Sequence, residues 1–142
     1  MAITQATCTS FKVEIQRALH DFSAAGNVFK LALYTSSAAL DATTTAYSGT
    51  NEVPGSGSYS EGGGTLTNVT PVASGTSGIT DFADLSFTTA TITARGALIY
   101  NSTNSNRACV VLDFGIDKTS TAGTFAITFP APAQGTAIIE IA

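Results

Sequence analysis

The chain has 142 residues, a formal net charge of −4 and 11% charged side chains against 44% hydrophobic ones. That length suits a single domain, 1–142, with a real core, and the six scattered Lys and Arg residues exclude phosphate-driven nucleic-acid binding. No apolar run approaches the roughly 20 residues of a membrane helix, so no membrane partner is expected, and residues 1–10 lack the charged and apolar regions of a secretory leader.

Residues 1–10 read as a polar N-terminal arm. The next stretch, 10–25 with its body at 11–25, predicts the one helix: Phe11, Ile15, Ala18, Leu19 and Phe22 form an apolar stripe. Lys12, Gln16, Arg17, His20 and Asp21 fall outside it. Thr9 or Ser10 is the expected cap, and Gly26-Asn27 the stop. From Val28 onward the period changes to two. Residues 28–34 predict a strand with Phe29, Leu31 and Leu33 on one face. Residues 36–64 break the pattern and read as a long extended loop, an arm that reaches a neighbour and orders on contact. Residues 65–73 predict a weaker strand that Pro71 marks as an edge. Further strands are expected at 79–87, 91–100, 107–114, 124–129 and 136–141, with reversing loops at 101–106 and 117–123. Gly96, mid-strand beside Arg95, predicts a bulge or a close backbone approach. The pattern describes a mainly β protein, an antiparallel β-sandwich or partly closed barrel with one N-terminal α-helix.

Groups able to do chemistry are few. His20 is the only histidine, there is no tryptophan, and the two cysteines, Cys8 and Cys109, lie about a hundred positions apart. They form no CxxC pair and no zinc site with one histidine; free thiols and a disulfide between helix and core strand are both open readings. No GxSxG elbow accompanies His20, so no nucleophilic triad is expected. Asp81, Asp84, Asp113 and Asp117 read as turn formers and as partners for Arg95 or Arg107. A buried Arg95 would need a carboxylate, with Asp81, Asp84 and Glu52 as candidates. The glycine runs 55–57 and 62–64 join no strand to a helix as phosphate cradles do. No catalytic, cofactor-binding or metal-ligating residue is expected, and no cofactor. So little surface charge instead implies faces that lie against other subunits.

Several runs resemble small structural virion proteins of tailed bacteriophages. They are Leu31-Ala32-Leu33-Tyr34-Thr35-Ser36-Ser37-Ala38-Ala39-Leu40-Asp41-Ala42-Thr43-Thr44-Thr45-Ala46-Tyr47, Asp81-Phe82-Ala83-Asp84, Ala94-Arg95-Gly96-Ala97-Leu98-Ile99-Tyr100-Asn101 and Leu112-Asp113-Phe114-Gly115. The resemblance implies a non-enzymatic component of the virion, assembled in the host cytoplasm, with a capsid decoration (cement) protein as the first reading. Its partners would be copies of itself, with a homotrimer favoured, and the major capsid protein or other virion proteins. Segments 2–10 and 36–64 would make the contacts. A tail- or fibre-associated component is the alternative, as is a receptor- or carbohydrate-binding module using Tyr47, Tyr59 and Tyr100.

Overall fold

The computed structural model describes residues 2–142. It consists of β1 (Ala6–Thr7), α1 (Thr9–Gln16), β2 (Phe29–Tyr34), β3 (Gly64–Thr65), β4 (Asn68–Ser74), β5 (Ser77–Phe82), β6 (Leu85–Asn101), β7 (Arg107–Ile127) and β8 (Ile139–Ile141). The strands make two antiparallel sheets, a five-stranded one in the order β1-β7-β6-β2-β3 and a three-stranded one in the order β4-β5-β8. The mainly β, two-sheet reading with one N-terminal helix is correct. Neither sheet closes into a barrel.

Alternation along β2 sorts its residues into Phe29, Leu31, Leu33 and Lys30, Ala32, Tyr34, and every one except Lys30 is buried. Both faces of the large sheet are therefore covered at β2. On the first face, Phe29 stacks on Phe22 with ring centroids 4.3 Å apart, and Phe82 of β5 closes the cluster at 5.9 Å from Phe29. This aromatic contact joins the small sheet to the large one. On the second face Tyr34 donates its hydroxyl to the Ser48 carbonyl at 2.7 Å, so segment 36–64 is the cover there.

That segment corrects the reading of a free arm. Ala38, Leu40, Val53 and Tyr59 are core residues, Val53 donates its backbone N–H to Leu33 at 2.9 Å, and Glu52 bridges Tyr34. The N-terminal stretch is likewise built in. Ile3 is buried and bridges Leu40, Thr4 donates to the Leu40 carbonyl at 2.8 Å, and Ala6 and Thr7 pair with Val111 and Val110. Both segments order against the chain's own sheet because each brings apolar side chains to a face that would otherwise be wet. Gly96 fits this cover as expected: a Cβ there would lie 2.4 Å from the Leu112 carbonyl oxygen and 2.9 Å from Ile3, and the β6–β7 register shifts beside it.

The helix is shorter than the apolar stripe implies. It stops at Gln16, and Ala18 takes a left-handed φ of 59°. Leu19 N–H reaches the Glu14 carbonyl at 3.1 Å and Ala18 N–H the Ile15 carbonyl at 3.2 Å, the two bonds of a Schellman stop. The turn swings His20 and Phe22 into the interior, burial that straight continuation would forfeit. The cap also differs. Cys8 occupies the N-cap without a side-chain bond, and Thr9 and Ser10 are helical.

Two strand boundaries differ for related reasons. Residues 79–87 are not one strand, because the chain leaves the small sheet at Phe82 and enters the large one at Leu85. Ala83 donates to Thr67 at 3.0 Å, and Asp84 accepts from Phe129 N–H at 2.9 Å to hold that switch. Residues 117–123 are not a reversing loop. They lie inside the 21-residue β7, which runs antiparallel to the 17-residue β6 from Asn101↔Arg107 to Leu85↔Ile127. Bulges and left-handed residues, Gly115 and Ala122 among them, absorb the turn-like composition. The 101–106 turn is present as expected, and β4 is an edge strand whose irregular pairing falls at Pro71.

Candidate functional site

The side chains with the most chemistry gather in two buried polar clusters. The first lies where α1, the 18–28 turn and the start of β7 meet. His20, expected on the polar side of a long helix, has a side chain with no solvent exposure. Its Nε2 lies 2.9 Å from Glu14 Oε1, and Arg107 donates to Glu14 Oε2 at 2.8 Å. The other ring nitrogen, Nδ1, faces the Asn101 amide nitrogen at 3.0 Å. Asn101 cannot be turned around, because its oxygen accepts backbone N–H bonds from Thr103 and Asn104 at 3.0 and 3.1 Å. Its NH₂ group therefore points at the ring, so Nδ1 carries the lone pair and the proton sits on Nε2, donated to Glu14.

Cys109 Sγ lies 3.8 Å from the same Nδ1, so a thiol, an imidazole and a carboxylate stand in sequence. The arrangement resembles a nucleophile, base and orienting acid. Its surroundings work against that use. The lone pair a base would employ is engaged by Asn101, and Cys109 is fully buried. Burial is the main cause that pushes the Cys109 thiol far up, and it pushes Cys8 up to about 11. Both thiols are protonated at neutral pH and are poor nucleophiles. What the cluster does is join elements: Glu14 and Arg107 tie α1 to β7, and Asn101 also donates to Asn27 Oδ1 at 3.0 Å.

The second cluster forms around Glu52, which is 8% exposed. Its carboxylate accepts from Tyr47 Oη at 2.8 Å, from Tyr59 Oη at 3.0 Å and from Gly62 N–H at 2.7 and 3.1 Å. Tyr59 Oη also accepts from Leu33 N–H at 2.9 Å, which links the carboxylate to β2. Tyr100 donates to the Gly62 carbonyl and stacks on Tyr47 at 4.7 Å. All four tyrosines of the chain thus secure segment 36–64 to the sheet. Burial, as the leading cause, raises all four phenols, Tyr100 to about 12. Of the tyrosines read as a platform for sugar stacking, Tyr59 and Tyr100 face inward, 1% and 3% exposed, and Tyr47 is half-buried against Tyr100.

The acidic residues do local work. Asp113 accepts from Gly115 N–H at 2.8 Å and Asp84 from Phe129 N–H, as turn formers. Arg95 is half-buried and pairs with Asp117 at 2.8 Å, not with Asp81, Asp84 or Glu52, since the bulged hairpin sets Arg95 and Asp117 on neighbouring strands. Arg107 takes Glu14, a partner given by no sequence signal because 93 positions separate them. Among the described residues, no three His, Cys, Asp or Glu side chains converge as a metal set would, and no helix is long and apolar enough to cross a membrane.

Two open grooves mark the surface. One of 480 Å³ follows β7 and the C-terminal segment past Phe114, Lys118, Phe125 and Ile138; another of 530 Å³ lies between α1 and the small sheet, past Phe11, Ile15, Ile79 and Ile141. Beyond the grooves, the feature with most reach is the outer side of β7. Residues 45–46, Cys8 and β1 cover it from Arg107 to Val111; from 112 to 127 no strand among the described residues lies against it. Comparison with protein-family models, curated proteins and solved structures finds no match for this chain.

Proposed function

We propose that this chain is a structural virion protein of a tailed bacteriophage, a capsid decoration protein that sits on the head as a homotrimer and stabilises it through contacts with the major capsid protein. The observation that carries the reading is the outward side of β7. A run of 16 residues, 112–127, lies along an edge that no strand among the described residues pairs, with Gln5 taking the Asp113 N–H and Asp113 the Gly115 N–H from side chains. Such an edge is a template for another strand. Its exposed side chains include Ile116, 62% exposed, and Thr119, Thr121 and Thr124, beside the charged Asp117 and Lys118. The reactive groups, with three of the charges (Glu14, Arg107 and Glu52), are engaged internally, in the His20–Glu14–Arg107 and Glu52–tyrosine clusters. A protein working by repetition and surface fit needs this division, and the likeness of its sequence runs to virion proteins points the same way.

The contact surface is narrower than whole segments. Ile3, Ala38, Leu40, Val53 and Tyr59 hold the chain's own core, so capsid contacts fall to the exposed residues around them, such as Thr4, Gln5, Ser36 and Ser37. The test has two parts. Analytical ultracentrifugation of the full chain should give a trimer mass. Expanded phage heads stripped of their decoration should bind it in many copies with saturation. A stable monomer that leaves the heads bare in co-sedimentation overturns the proposal; density in the tail by electron microscopy moves it to a tail component.

A further inference from the structure

The two cysteines, remote in sequence, are neighbours across a strand pair. The β1–β7 register runs Ala6↔Val111 and Thr7↔Val110, and its next step sets Cys8 opposite Cys109. A backbone bond confirms the step, Cys8 N–H to the Cys109 carbonyl at 2.9 Å. Residues directly opposite in an antiparallel pair share a face, and both side chains here are fully buried. In a hydrogen-bonded pair the Cα atoms lie about 5.5 Å apart, inside the span a disulfide bridges. The Cβ atoms of such pairs stand roughly 1 Å wider than a disulfide prefers. Cys8 is well placed to close that gap. It sits at the junction where β1 ends and α1 begins, with an extended backbone and no side-chain cap to lose.

We propose that Cys8 and Cys109, free as dithiol, form a cross-strand disulfide that fastens the N-terminal strand to β7 under oxidising conditions. The oxidant is a small-molecule disulfide. One cysteine thiolate attacks it, forming a mixed disulfide and releasing one small thiolate. The second cysteine thiolate then attacks the protein sulfur of that bond and releases the other. The protein loses two protons and two electrons, and the small disulfide is reduced to two thiols. Burial sets when this happens: the closed fold shields both thiols, so exchange proceeds during folding or when β1 lifts from the sheet. In a reducing cytosol the pair stays as thiols; in an oxidising medium it closes.

The consequence is mechanical. β1 is two residues long and carries Ile3 and Thr4 onto the Leu40 segment, so its loss would uncover the second face of the large sheet. A covalent bond at Cys8 holds that cover in place whatever partner the protein has.

The experiment refolds the full chain in a glutathione redox buffer at mildly alkaline pH, so that access to the thiols does not limit the result. Expected are a protein two hydrogens lighter by intact mass, no thiol titratable in denaturant, and a non-reduced peptide map linking the Cys8 and Cys109 peptides. The bond closes a loop of about 100 residues, and reductant should lower Tm by roughly 10 °C. Cys8→Ala should show one thiol and no reductant-dependent change in Tm. Two thiols remaining in a buffer that fully oxidises dithiothreitol overturn the proposal. So does capture of glutathione on each cysteine, or a bond between chains instead of within one.

Discussion

Replacing Glu52 tests whether segment 36–64 is held by the chain itself or waits for a partner. The carboxylate has no Lys, Arg or His among its hydrogen-bond partners; it is held by two phenols and one backbone N–H. In Glu52→Ala, Tyr47 is half-buried and can turn to water. Tyr59, 1% exposed, and the part-buried Gly62 N–H lose their acceptor inside the protein. Each such orphan costs about 1–3 kcal/mol. Relief of a buried charge without a countercharge offsets part of this, leaving a net loss of about 3 kcal/mol. Glu52→Gln keeps the shape and one acceptor oxygen, and its NH₂ can donate to a phenol oxygen, so the loss should be about 1 kcal/mol. With a urea m-value of about 1.5 kcal/mol/M, the unfolding midpoint should fall by about 2 M for alanine and by less than 1 M for glutamine. Limited proteolysis should cut the alanine variant first within 36–64. If alanine and glutamine lower the midpoint equally, or alanine by less than about 0.5 M, the carboxylate is not the anchor and the account of this cluster is wrong.

Ala18→Gly should stabilise the protein by about 1 kcal/mol, because the left-handed φ of 59° at the helix stop strains a Cβ that glycine lacks; an unchanged or lower Tm would speak against strain there. Gly96→Ala should cost about 2–3 kcal/mol, since its Cβ would meet the immovable Leu112 carbonyl oxygen at 2.4 Å and Ile3 at 2.9 Å; a neutral Tm would contradict the close approach. All four phenols titrate above their ordinary value when folded, Tyr100 at about 12, whereas the unfolded chain ionises near 10. Their contribution is complete below pH 10 and is lost as pH rises from 10 towards 12, at about 4 kcal/mol per pH unit for Tyr34, Tyr59 and Tyr100 together. Phenolate absorbance should therefore rise together with the loss of circular dichroism; a tyrosine ionising near pH 10 in an intact fold contradicts this packing.

Composition and alternation by themselves determined that the protein is mainly β, that one helix lies near its N-terminus, that 28–34 is a strand, that the chain reverses at 101–106, and that Pro71 marks an edge. Each follows from signals read within a few residues: the spacing of apolar side chains, the rigid proline ring, the turn chemistry of Asn and Ser. Gly96 was legible for a similar reason, as a strand position with no side chain implies something close above it.

The remainder was decided by contacts between distant parts of the chain. A sequence that reads as helix to Ala25 stops at Gln16 because His20 and Phe22 find Asn101 and Phe29 on the sheet, with His20 also turned back onto Glu14, and satisfying those groups outweighs further helical turns. The polar stretch 117–123 stays in a strand because β6 supplies a partner and bulges take up the irregularity. Segment 36–64 carries no local pattern, so its order rests on Glu52, four tyrosines and a few core side chains meeting in space. Cys8 and Cys109 became neighbours only through strand register. Local sequence sets which backbone conformations are cheap, and burial of polar and apolar groups together selects among them.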